Sequence, residues 1–139
     1  MGRVTVAAKI ENYDDLADLR RGRLQPGEVR TIEVPDALVD TGASGLSLPR
    51  AMIEQLGLAP VRQRNARTSA GPIVVNIYES VRLTIQERVH LTDVMELPDD
   101  CPVLIGQQPL GTMDFVVAPP GRRLIGNPAH GGEPIIELF

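Results

Sequence analysis

Asp40 ends the aliphatic run Ala37-Leu38-Val39 and is followed at once by Thr41, Gly42, Ala43 and Ser44. A carboxylate brought to the end of an apolar strand and turned by a glycine can do one of two things. It can close the turn itself, bonding its own backbone two residues on in an Asx-turn. It can also work as an acid or base at a point that the strand holds rigid. The tripeptide alone leaves both open.

Other chemistries lack their parts. Cys101, His90 and His130 are too few and too widely spaced to make a zinc site, so no metal is expected. No phosphate-binding or dinucleotide fingerprint is present, and no cofactor is expected. Gly42-Ala43-Ser44-Gly45-Leu46 approaches a nucleophile elbow, but Leu46 stands where that motif needs glycine. Ser44 with His90 or His130 as a serine hydrolase is therefore disfavoured. Both histidines read as surface or loop residues.

The whole chain sets wider bounds. Its 139 residues fit one domain, 1–139, able to bury roughly two-thirds of its unfolded surface. Trp is absent and Phe and Tyr number two each, so the core must be built mainly from Val, Leu, Ile and Ala. A formal charge of −4 with no long basic run argues against nucleic acid as a partner. The short run Arg20-Arg21-Gly22-Arg23 is expected to pair with the acids just before it. A lone Cys101 allows no disulfide within one chain, and no apolar run is long enough for a membrane helix. The expected setting is cytoplasmic.

The elements that would position Asp40 are short and punctuated. Val4, Val6 and Ile10 alternate with polar or small residues, as in a half-buried strand. Residues 12–22 allow a short helix or an irregular excursion before a turn at Pro26-Gly27. Residues 28–34 alternate again, Pro35 is expected to interrupt them, and Ala37-Leu38-Val39 reads as a separate short strand. Leu46 and Leu48 alternate after the turn. Pro49 suits the first turn of a helix carrying Met52, Ile53 and Leu56 on one face and ending at Gly57. Ala70-Gly71-Pro72 breaks a β-branched region as a hairpin tip would, with a further strand pair after it. Residues 98–102 read as a loop and Val103-Leu104-Ile105 as a buried strand stopped by Gly106. Strands at 115–117 and 123–126, a turn between them, and a terminal apolar strand over 135–139 complete the chain. Many short strands and one convincing helix predict a mainly-β domain, a barrel or sandwich.

The segment Val39-Asp40-Thr41-Gly42-Ala43, followed downstream by Val103-Leu104-Ile105-Gly106, resembles the retropepsin-like aspartic proteases. That single-domain family includes retroviral proteases and bacterial relatives. Residues 39–58 look like the bacterial branch, in which the active loop leads into a helix ending Leu-Gly-Leu. Residues 68–76 look like the flap hairpin. Residues 103–117 look like the second motif with its short helix, although Pro109 and Gly111 argue against a helix there. The segment before Pro35 matches retroviral members poorly.

The resemblance implies a fold, a chemistry and an assembly: a retropepsin-like acid-protease barrel with a helix after the active loop and a flap. It implies an aspartic endopeptidase in which two carboxylates share one proton and activate water. This chain has one Asp-Thr-Gly; Asp14-Asp15 and Asp99-Asp100 lie in unsuitable contexts. The second carboxylate would then be Asp40 of another copy in a homodimer. Thr41 would bond across the two-fold axis, Gly42 keep the loop compact, Ala43 sit beneath an extended peptide substrate and Ser44 support the carboxylate. Ala70, Gly71 and Pro72 would form the flap tip, and Leu104, Ile105 and Gly106 would brace the loop. Ile135, Ile136, Leu138 and Phe139 would pair with the partner's terminus. The rival is a catalytically silent module that keeps the fold to bind peptides or to dimerise.

Overall fold

The structure is a computed structural model that describes residues 3–118 and 123–138. Its organising feature is a closed ring of strands. β1 (Thr5–Asn12) pairs antiparallel with β2 (Thr31–Val39). β2 runs parallel to β7 (Leu104–Ile105), which pairs antiparallel with β3 (Leu46–Pro49). β3 runs parallel to β6 (Arg88–Leu97), and β6 pairs antiparallel with β5 (Gly71–Ile85). β5 returns to β1 through Val81–Thr84, which closes the barrel. β4 (Pro60–Thr68) hangs outside the ring, paired to the first half of β5. β8 (Phe115–Ala118) and β9 (Arg123–Gly126) form a separate small sheet. The mainly-β barrel expected from the sequence is present.

The interior is aliphatic, as the scarcity of aromatic residues requires. Ile10, Leu46, Leu48, Ile53, Leu56, Leu83, Ile85 and Ile105 are fully buried. Each such side chain contributes on the order of 2 kcal/mol of hydrophobic stabilisation. Leu46 and Leu48 leave the active loop straight into this core, so the loop's exit is anchored by burial.

Several expectations need correction. Pro35 does not interrupt β2. It lies with Asp36 opposite Ala7 where the β1–β2 register shifts, a bulge at which a missing N–H is tolerated. The hairpin arm and the strand after it are one continuous β5, bulged at Glu79-Ser80. Among the described residues there are three short α-helices rather than one: α1 (Tyr13–Arg20), α2 (Arg50–Gln55) and α3 (Gln107–Thr112). Pro109 does not prevent α3, because it sits in the first turn, where no backbone N–H is required. Residues 134–138 form no strand, and Ile136 and Leu138 stand exposed. Phe139 and residues 119–122, where a turn is expected from the sequence, lie outside the described residues.

α1 is fixed by its ends. The Asn12 side chain caps it by accepting from the Asp15 N–H at 3.0 Å, and Asn12 Nδ2 donates to the Leu56 carbonyl at 2.8 Å. Buried Asp15 accepts from the Arg30 N–H, Nε and Nη2 at 3.0, 2.8 and 2.9 Å. Of the basic run, Arg23 pairs with Asp18 and Arg20 lies over the Tyr13 ring. The ion pair that holds the excursion to the barrel is thus made by Arg30.

Candidate active site

Asp40 sits where β2 leaves the barrel, and the backbone on both sides grips it. The Leu38 N–H donates to the Val103 carbonyl, the Val39 N–H to Val4 and the Asp40 N–H to Ile105, at 2.8, 2.9 and 3.0 Å. Beyond it the chain turns tightly, with the Ala43 N–H on the Asp40 carbonyl at 3.0 Å. The Gly42 N–H donates to Asp40 Oδ1 at 2.9 Å, so the Asx-turn is real. That bond also fixes the carboxylate's orientation. A Cβ on Gly42 would stand 3.3 Å from the same oxygen, which is why a glycine suits this position.

The second segment passes against this loop. Leu104-Ile105 lies between β2 and β3, and the three residues that follow bond the loop's backbone. The Gly106, Gln107 and Gln108 N–H groups donate to the Gly45, Ala43 and Ser44 carbonyls, each at 2.9 Å. Gly106 has no room for a side chain: an added Cβ would lie 2.5 Å from the Ala43 carbonyl oxygen. Leu104, Ile105 and Gly106 therefore brace the loop by direct backbone contact.

The carboxylate is half-buried and lines an open-sided hollow of about 350 Å³ with Arg3, Val39, Thr41 and Val117. No other acid lines it among the described residues. Thr41, Gly42 and Ser44 are exposed and Ala43 is half-buried. Arg3, a cation beside the carboxylate, was not singled out by the sequence reading. No motif marks it, and only the pairing of β1 with β2 brings it there.

The hairpin of β4 and β5 has a two-residue tip, Ser69-Ala70, between paired Thr68 and Gly71. Thr68 Oγ1 accepts from the Ala70 N–H at 3.1 Å and donates to the Gly71 carbonyl at 2.8 Å. Gly71 has φ +119°, a conformation open only to glycine at little cost. Ala70 and Pro72 are exposed beside it.

One face of this hairpin continues the face of β6 that carries Met95. Arg62 pairs with Ile77 and Ile77 with Met95, so the three side chains share a face. A Cβ on Gly45 would lie 3.0 Å from Met95 Cε, which places Met95 against the Asp40 loop. By the two-residue period of a strand, Arg64, Ala66, Ile73 and Val75 lie on the shared face too. No motif marks Arg62 or Arg64, and only the strand register shows which way they face.

The remaining candidates fall elsewhere. His130 is in the loop expected, but its side chain is only 16% exposed and both ring nitrogens are engaged. Nδ1 lies 2.6 Å from Asp114 Oδ2 and Nε2 lies 2.8 Å from Glu137 Oε1. It therefore has no nitrogen free to activate Ser44. The hydrogen bond to Asp114, then that to Glu137, raises the His130 pKa, and the same Asp114 contact lowers that of the acid. Burial pushes the His90 imidazole down. Among the described residues no group of His, Cys, Asp and Glu side chains could hold a metal ion.

A family model described as aspartyl protease matches residues 26–125. The chain belongs to that family. Among solved structures it is similar to the protease of simian foamy virus (mac), determined in solution. The identity is 19%, with 77% of this chain and 91% of that chain covered and a TM-score of 0.47. No curated protein matches the chain.

Proposed function

We propose that this chain is an aspartic endopeptidase of the retropepsin-like kind, a single domain acting as a homodimer whose two Asp40 carboxylates form the catalytic dyad. One observation carries the reading: a backbone-braced loop presents a single carboxylate to an open hollow that, among the described residues, holds no second acid. Half a site on each copy is completed by a two-fold axis. The exposed apolar side chains of Ile136 and Leu138 suit an edge awaiting a partner. The Leu56-Gly57-Leu58 end of α2 favours the bacterial branch, and the lone Cys101 suits a cytoplasmic setting.

In the dyad one carboxylate is ionised and one protonated, because like charges this close do not ionise together; the pair titrates as a unit. The ionised member takes a proton from water as the water oxygen attacks the scissile carbonyl carbon. The protonated member gives its proton to the carbonyl oxygen, leaving a neutral gem-diol. On collapse, a carboxylate takes a gem-diol proton, the other acid protonates the peptide nitrogen, and the C–N bond breaks. The products are an amine and a carboxylic acid, and the dyad again holds one proton. Gly42 would orient Oδ1, Thr41 would bond across the axis, and the tip at Ala70, Gly71 and Pro72 would close over an extended peptide paired to its backbone.

The Asx-turn favours one rival, in which Asp40 is only a turn residue and the domain binds peptides or dimerises without turnover. Cleavage of a diverse peptide mixture from acidic to neutral pH, beside the Asp40→Asn variant, separates the two. Cuts made by wild type and absent from the variant support the protease. Cutting by neither folded dimer supports the rival.

A further inference from the structure

The flap carries an excess of positive charge in an acidic protein. Residues 60–76 contain Arg62, Arg64 and Arg67 and no acid, whereas the chain as a whole carries −4. Arg67 lies on one face of the hairpin, whereas Arg62 and Arg64 lie on the other, the face that carries Ile77 and Met95. With Ser80, His90, Thr92 and Gln108, they line a cavity of about 470 Å³. The cavity reaches the active loop through Gln108, whose N–H is bonded to the Ser44 carbonyl.

Charge and chemistry in this cavity agree. Its one lining acid, Asp93, is held by Arg62 Nη2 at 3.2 Å, so two arginines against one aspartate leave a net charge of +1. Arg64 supplies that excess. A guanidinium presents a planar fork matched to a carboxylate, and the Ser80 hydroxyl and the Gln108 amide add neutral donors. Between Arg64 and the tip, the same face carries Ala66, Ile73 and half-buried Val75. An extended peptide beneath the flap would meet apolar side chains near the tip and the guanidinium about 7 Å beyond Ala66, two residues at roughly 3.4 Å each.

Resting on the protease reading above, we propose that this cavity is a subsite for an acidic side chain, with Arg64 as the specificity residue. The preferred substrates are then extended peptides with apolar residues near the scissile bond and an Asp or Glu a few residues away. Arg62 keeps Asp93 from repelling the incoming carboxylate and is a positioning residue.

The test uses fluorescein-labelled peptides of Leu, Phe and Ala that carry one Glu, Gln or Lys at a varied position. Binding is read with the Asp40→Asn protein, and kcat/KM with wild type, in Arg64 and in Arg64→Gln and Arg64→Glu backgrounds. At one position Glu should be favoured over Gln about tenfold, the size of a partly desolvated charged hydrogen bond. Arg64→Gln should erase the preference, Arg64→Glu should turn it toward Lys, and added salt should weaken the Glu peptide alone. Equal binding of Glu and Gln peptides at every position, or a preference that survives Arg64→Gln, overturns the subsite. Glu-selective binding without cleavage by wild type supports the subsite and removes the protease reading instead.

Discussion

Gly106 and Ala43 are in backbone contact across the active loop, so close that a Cβ at 106 would lie 2.5 Å from the Ala43 carbonyl oxygen and 2.7 Å from its carbon. The brace behind Asp40 is therefore a packing of main chain on main chain, and any side chain at 106 must push the loop outward.

Gly106→Ala should cost about 2–3 kcal/mol in stability, as overpacking does, and should lower peptide cleavage by more than the loss of folded protein explains. Gly111, in α3, has nothing within 4 Å of an added Cβ. Gly111→Ala should be neutral or should stabilise by up to about 1 kcal/mol. Thermal unfolding of both variants, with kcat/KM beside it, checks the contrast.

Asp15→Asn should destabilise the chain by about 2 kcal/mol, since buried Asp15 accepts three hydrogen bonds from Arg30, whose own side chain is half exposed. The Arg30 hydrogen bonds hold the Asp15 carboxyl below its usual range. The stabilisation is complete above the unfolded pKa of about 3.9 and is lost as pH falls through the lower folded value. Urea midpoints against pH should therefore drop in strong acid for wild type and flatten there in the variant.

Gln86 and Glu87 turn β5 into β6 with φ of 48° and 68°, positive at both positions without a glycine or asparagine. Replacing the pair by Asn-Gly should stabilise the protein by about 1 kcal/mol, because that dipeptide takes the same turn with less strain. Chemical denaturation of the double variant measures it.

Much of this architecture was legible in the sequence, for physical reasons. Alternation marks strands whose one face is buried, as at Leu46 and Leu48, and Pro49 to Gly57 carries start and stop signals for α2. Pro35, Pro109 and the Gln86-Glu87 turn were not legible, because each depends on its surroundings: a bulge opposite Ala7, a place in a first turn, a strain that strand pairing overrides. At the site, the Asp40 loop and Gly106 could be read from types and spacing. Arg3, Met95 and the facing of Arg64 could not, since register alone places them. The terminal apolar residues are strand-like in sequence, yet residues 134–138 pair with no strand.

His130 joins the terminal segment to the small sheet: Asp114 Oδ2 also accepts the Ile135 N–H at 3.2 Å, and Glu137 lies on the other ring nitrogen. Arg88 adds bonds from Nη1 to the Met113 and Asp114 carbonyls and from Nη2 to that of Gly132. With the His130 pKa raised, this clasp is fully made below the ordinary histidine value and is lost as pH rises through the higher folded one. Asp114, lowered by the same contact, releases it only in acid. Amide exchange at Ile135, corrected for intrinsic rate, should be slow between those limits and should speed up on the alkaline side. His130→Gln should remove that pH step.

The most direct test of the shared dyad is to mix wild-type and Asp40→Asn subunits at equal amounts, let them re-equilibrate, and measure cleavage at constant total protein. If each active site needs Asp40 from both copies, only wild-type pairs cut, and activity should fall to about a quarter of the pure wild-type value. A fall to about half would mean that each subunit works alone, and the two-carboxylate site would be contradicted.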